Sequence, residues 1–82
     1  MEENEIFDKI VAIVTPLAKD KEALSNVKRE SDFLKDLQVS SARLVDIILA
    51  IEDQFDVEVD DSEADKVETV GAAVDLIKAK LA

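Results

Sequence analysis

The stretch SSARLVDIILAIEDQF, residues 40–55, decides the fold. At about 100° per residue, Leu44, Ile47, Ile48, Ile51 and Phe55 fall on one stripe, the spacing of a helix that packs onto a core. Ala42, Val45 and Leu49 form a second, narrower strip, bordered by Asp46, Glu52 and Asp53 and rotated from the first by roughly a third of a turn or more. An apolar strip edged with carboxylates suits a docking surface. It equally suits a helix wedged between two neighbours and apolar nearly all round, and pattern alone leaves both readings open.

Working outward, Ser40 is a good N-cap for this helix and places Ser41 in its first turn, where backbone N–H groups lack internal partners. Residues 18–39 are mixed and charged, with isolated apolar positions at Leu24, Val27, Phe33, Leu34 and Leu37. They are expected to form a long ordered loop anchored by those five side chains, with a short helical turn near residues 21–24. Before the loop, Ile6, Ile10, Ile13, Val14 and Leu17 keep helical spacing over about 3–15, Glu2, Glu3 and Glu5 suit the positive end of that helix, and Pro16 closes it. Downstream, Val57 and Val59 alternate with acids but have no strand to pair with, so a loop with inward valines is expected. Asp60, Asp61 or Ser62 can cap a short third helix through about residue 67, and Thr69 can cap a fourth over 70–81. In the fourth, Val70, Ala73, Val74, Ile77 and Leu81 form the inward stripe, with Lys78 and Lys80 at the negative end. The expectation is an all-α fold, a small four-helix bundle over 1–82 with a long first loop and a short third helix.

Eighty-two residues suit one small domain. Twenty acidic against ten basic residues give a net charge of −10, which repels nucleic-acid phosphates and anionic lipid surfaces and favours basic protein surfaces as partners. The absence of cysteine excludes a disulfide framework, a thiolate metal site and a cysteine nucleophile, and the absence of histidine removes the commonest general base and metal ligand. MEENEIF lacks the basic start and apolar core of a secretory signal, and no apolar run reaches membrane-spanning length, so a cytoplasmic protein is expected; the chain is also expected to be a monomer.

Chemistry carried by the chain alone finds little support. Asp56, Glu58 and Asp60 have the alternate spacing of calcium ligands, but the sixth position of such a loop is Asp61 rather than glycine and the twelfth is Val67 rather than glutamate, so no metal site is expected. The single glycine, Gly71, excludes a glycine-rich phosphate loop, and no serine has a histidine to activate it. Paired carboxylates abound, yet a domain this small leaves little room for a substrate cleft between them. Ser41 is the side chain of most interest, although a serine at a helix start is ordinarily a cap or a solvated residue.

DLQVSSARLVDIILAIEDQF at 36–55, followed by EADKVETVGAAVDLI at 63–77, resembles the acyl carrier protein family. The family pattern is Phe, two residues, Asp-Leu-Gly, one residue and Asp-Ser-Leu, then a helix ending in Glu-x-x-Phe, then Thr-Val and Ala-Val or Ala-Ile. Phe33, Asp36, Leu37, Ser41, Val45, Ala50, Glu52, Phe55, Ala64, Thr69, Val70 and Ala73 keep that order without a gap. The resemblance implies a covalent 4′-phosphopantetheine arm on Ser41, added from coenzyme A by a phosphopantetheinyl transferase. It implies a non-catalytic carrier that presents acyl groups to acyl-activating, acyltransferase or synthase enzymes through their basic docking patches. It assigns the partner surface to Ala42, Arg43, Val45, Asp46, Leu49, Glu52 and Asp53, and shelter for an acyl chain to apolar positions such as Val45, Ile48, Val67 and Leu76.

The departures from the pattern cluster at the arm. Asp-Ser-Leu reads Ser40-Ser41-Ala42, the preceding glycine is Gln38, and the acid expected two after the serine is Arg43. Loss of one carboxylate and reversal of another charge should weaken recognition by general enzymes, and Ala42 should lose about 1–2 kcal/mol of the apolar contact leucine provides. The expectation is a carrier specialised for a fatty acid, lipid or polyketide pathway. The alternative is a carrier-like acidic adaptor or binding subunit that is never modified.

Overall fold

The computed structural model describes residues 2–18 and 22–81. Among the described residues four helices run in the order α1 (Glu3–Val14), α2 (Ser41–Phe55), α3 (Asp61–Asp65) and α4 (Val70–Leu81), with a 3₁₀ turn, Ala23–Asn26, between α1 and α2. The expected helical turn in the loop therefore lies slightly later than 21–24, and Lys21 is outside the described residues. No strand occurs among the described residues, only an isolated antiparallel bridge between Asp32 and Thr69. None of these helices is long and apolar enough to cross a membrane.

The core is one continuous cluster. Ile6, Ile10 and Val14 from α1 meet Ile47, Ile51 and Phe55 from α2 and Val70, Val74 and Ile77 from α4. Burial of these stripes holds the bundle, because helices of this length are marginal in isolation. Val57 and Val59 sit half-buried against the same cluster, as a loop with inward valines requires. Pro16, which has no N–H to give, follows the last turn of α1. The N–H groups of Leu17 and Ala18 still donate to the Val14 carbonyl, at 2.8 and 2.9 Å, and wind the chain once more before it leaves.

The long loop is held by its backbone as much as by its side chains. It runs beside the start of α4, where Phe33 N–H donates to Glu68 O (3.0 Å), Val70 N–H to Ser31 O (3.0 Å) and Gly71 N–H to Arg29 O (2.8 Å). Two first-turn N–H groups of α4 that have no partner within the helix thus find carbonyls in the loop, and the Thr69 hydroxyl accepts a third, from Ala72, at 3.1 Å. The Arg29 guanidinium binds both carboxylate oxygens of Asp75 at 2.9 Å and also pairs with Glu3, so one side chain ties loop, α1 and α4 together. Of the five expected loop anchors, Phe33 and Leu37 are buried and Leu24 and Val27 half-buried, but Leu34 is exposed. The chain turns sharply there, with the Asp32 carboxylate accepting from the N–H groups of Leu34 and Lys35, and only Phe33 of the adjacent pair can face inward. Val39, which the periodicity does not single out, is buried instead. Leu81 also departs from expectation: it is 41% exposed, because α4 runs past the core at its last turn.

Candidate functional site

Two devices set the start of α2. Asp32 and Asp36 close a tight turn, with Asp36 and Leu37 N–H donating to Asp32 O (3.0 and 3.1 Å), and the turn ends at Gln38 with φ 54°. That left-handed conformation favours glycine, the residue the family pattern places here, and a side chain with a Cβ carries it at a cost of about 1–2 kcal/mol. Val39 N–H then donates to Phe33 O at 2.8 Å, which buries Val39 and leaves Ser40 as N-cap, its hydroxyl oxygen accepting from Arg43 N–H at 3.3 Å. Ser41 is thereby the first helical residue. It is exposed, and its hydroxyl has no hydrogen-bond partner among the described residues.

Beside Ser41 lies an apolar cleft of about 350 Å³ between α2 and α3. Leu44, Val45, Ile48 and Leu49 form its α2 wall, and Val59 and Ala64 close the other side. Of the apolar positions named above for an acyl chain, Val45 and Ile48 line this cleft, whereas Val67 lies on a neighbouring one of about 310 Å³ that also touches Leu34, Leu44 and Ala64. Leu76 packs half-buried against the core. Val59, Asp61, Ala64 and Asp65 line the cleft although no helical period points to them, since their approach to α2 depends on how the loop after Phe55 folds back.

The remaining expected surface residues divide into exposed and engaged ones. Ala42, Arg43, Val45, Asp46, Leu49 and Asp53 are exposed, Val45 and Leu49 at 60% and 58%, so the second strip of α2 is bare rather than wedged between two neighbours. Arg43 and Asp46 pair with each other across 3.2 Å. Glu52 differs from the rest: it is half-buried, its carboxylate accepts from Val59 N–H at 3.1 Å, and its carbonyl accepts from Val57 N–H at 3.2 Å. Its first task is to hold the loop that closes the cleft. Asp56, left-handed at φ 54°, ends α2 and starts that loop, a conformation aspartate tolerates well.

α3 stands over the cleft with no buried residue. Asp60 caps it through a capping box with Glu63, and the Glu63 carboxylate also accepts from Lys80 Nζ at 2.7 Å, linking α3 to α4. The lysine hydrogen bond, and then the Asp60 backbone N–H, hold the Glu63 carboxyl below its ordinary range, while the same contact raises the Lys80 ammonium. Among the described residues no cluster of carboxylates is arranged to hold a metal ion.

A covalently attached phosphate ester fits the residues present. Ser41 offers a free hydroxyl on the first turn of a fifteen-residue helix, at the positive end of its dipole and beside first-turn N–H groups that lack helical partners. An extended arm leaving that point has the apolar cleft next to it.

Residues 8–77 match the family described as the phosphopantetheine attachment site. The acyl carrier protein of Lactobacillus acidophilus is 40% identical over 79 residues, 95% of either chain, and that of Picosynechococcus sp. is 42% identical over 77 residues, covering 93% of this chain and 91% of the other. The acyl carrier protein of Clostridium acetobutylicum is 40% identical over 75 residues, covering 90% and 94%. Among solved structures, the acyl carrier protein of Enterococcus faecalis, described for its high thermal stability, superposes with a TM-score of 0.80 at 31% identity over 98% of this chain and 99% of that one. The prosthetic group these likenesses imply is a covalently attached 4′-phosphopantetheine. A four-helix fold shared over nearly the full length, together with these identities, means that the chain belongs to the acyl carrier protein family.

Proposed function

We propose that the chain is a single carrier domain over residues 1–82 that acts as a cytoplasmic monomer and bears the 4′-phosphopantetheine arm on Ser41. The observation that carries this reading is the Ser41 hydroxyl, exposed and unpartnered on the first turn of α2 at the edge of an apolar cleft. With no histidine in the chain, the hydroxyl is activated by the transferase: its oxygen bonds to the phosphorus of coenzyme A that bears the pantetheine, and adenosine 3′,5′-bisphosphate leaves. The thiol of the attached arm holds an acyl group as a thioester. The chain catalyses nothing. Ser40 and the N–H groups of the first turn fix the anchor point, the α2–α3 cleft shelters the apolar part of the cargo, and Val45 and Leu49 offer partner enzymes an apolar contact edged by Arg43, Asp46 and Asp53. Ser40-Ser41-Ala42 and Arg43 favour a specialised fatty acid, lipid or polyketide pathway over the general one.

The test is intact mass after incubation with coenzyme A and a broad-specificity phosphopantetheinyl transferase. The wild-type chain should gain one arm and Ser41→Ala none. Because Ser41 is exposed and makes no side-chain hydrogen bond, the variant should melt within about 0.5 kcal/mol of wild type. Biological function that survives Ser41→Ala would favour the adaptor reading.

A further inference from the structure

The bare strip of α2 has unlike ends. Arg43 lies two residues after Ser41, and of the four described helices only α2 has a cation in its first turn. The first turns of α1 and α3 carry acids instead, and the last turn of α4 carries lysines. At the start of α2 the arginine opposes the helix dipole, and an arginine that precedes its acid along the helix is the weaker order of such a pair. Both side chains are also well exposed, 61% for Arg43 and 49% for Asp46, so the pair adds little to stability. Its effect is on the surface: Asp46 is engaged by its own chain, and a cation stands beside the attachment point. At the far end of the strip Asp53 is exposed and makes no ion pair among the described residues.

We infer that the α2 surface is matched to a partner enzyme of mixed charge, with a carboxylate opposite Arg43 and cations toward Asp53, and that Arg43 turns away enzymes whose contact surface is basic throughout. This rests on the carrier reading. A carboxylate on the partner takes the Arg43 guanidinium, which releases Asp46 for a partner cation, while Val45 and Leu49 supply the apolar centre. A wholly basic surface meets Arg43 as a like charge, so the residue discriminates by repulsion, at little cost to the fold. A second copy of this chain is a poor occupant, because each copy carries a net charge of −10.

Two phosphopantetheinyl transferases test this with wild type, Arg43→Gln and Arg43→Glu: a broad-specificity enzyme, and one whose carrier-docking patch is basic. With the second, Arg43→Glu should raise kcat/KM about tenfold at low salt and Arg43→Gln about threefold, with the gain fading as salt screens the contact. Replacing the patch cations of that enzyme by glutamate one at a time should include one change that favours the wild-type chain and penalises Arg43→Glu. Equal kcat/KM for the three chains with the basic-patch enzyme, or no patch change that reverses their order, overturns the inference while leaving the carrier reading intact. Absence of any mass gain in all three chains with both enzymes overturns the carrier reading and the inference with it.

Discussion

α4 buries Val70, Gly71, Ala73, Val74 and Ile77 among its 12 residues, whereas α3, five residues long, buries none. The two helices are adjacent in the chain and both begin with a capping side chain, Thr69 or Asp60. Capping therefore does not separate them. α4 is packed along α1 and clamped to the loop by backbone hydrogen bonds and by Arg29, while α3 is held by its cap, by Ala64 against the core and by one partly exposed pair to Lys80. Regions with few buried contacts open at lower free energy. The same molecule thus has well-buried α1, α2 and α4, which carry stability, and a lightly held α3 that, with the bare face of α2, frames the cleft beside Ser41.

Ways to break that contrast begin with its strongest element. Ile77→Ala should remove about 2–5 kcal/mol in urea titrations, since the side chain is completely buried where α4 meets the core. A loss under about 1 kcal/mol would mean that the core is not centred there. Gly71→Ala comes next. A Cβ at that position would lie 2.9 Å from the Arg29 carbonyl oxygen, the same atom that accepts the Gly71 N–H at 2.8 Å, so neither group can retreat without losing the clamp. Alanine's better helix propensity, about 1 kcal/mol, works the other way, and a net loss of about 1–2 kcal/mol is expected, read as a fall in Tm. An unchanged or higher Tm would show that the loop yields.

Around the cleft the changes are smaller and one has the opposite sign. Gln38→Gly should raise stability by about 0.5–1 kcal/mol, because glycine adopts the left-handed turn without the Cβ penalty and part of that gain is offset in the unfolded chain. A fall in Tm would mean that the Gln38 side chain itself supports the turn. Glu63→Gln should have the smallest effect and a defined pH dependence. The carboxyl of Glu63 is held below its ordinary 4.5, so its contribution is present above that value and is lost as pH falls through the lowered one. The ammonium of Lys80 is held above its ordinary 10.5, so its contribution is complete below that value and is lost as pH rises through the raised one. The Tm difference between wild type and Glu63→Gln should be widest at neutral pH and close in acid. A difference that persists at pH 3 would show that the side chain acts by packing rather than by charge.

Legibility in the sequence follows the range of the interaction. The stripe Ile47, Ile48, Ile51 and Phe55, the caps Ser40 and Thr69, and the stop at Pro16 were readable because each depends on residues within about one helical turn. Ser41 as a first-turn residue was equally local, and its promotion from an ordinary exposed serine to the candidate anchor came from the resemblance of the flanking motifs. Leu34 and Leu81 are exposed despite their apolar spacing because whether an apolar side chain meets the core depends on where the chain turns or ends against it. The double hold of Glu52 on the 57–59 loop was not readable, since a carboxylate that accepts a backbone N–H looks the same in sequence as one that faces solvent.

By itself the sequence determined the four helices, most of the inward stripes of α1, α2 and α4 and the place of Ser41, through periodicity and capping that act over a few residues. Tertiary structure alone decided that the second strip of α2 stays uncovered, that Val59 and α3 wall a cleft beside Ser41, and that Arg29 locks the loop to α1 and α4. Those outcomes depend on contacts between residues tens of positions apart, and such contacts exist only once burial of the whole core has fixed the relative placement of the helices.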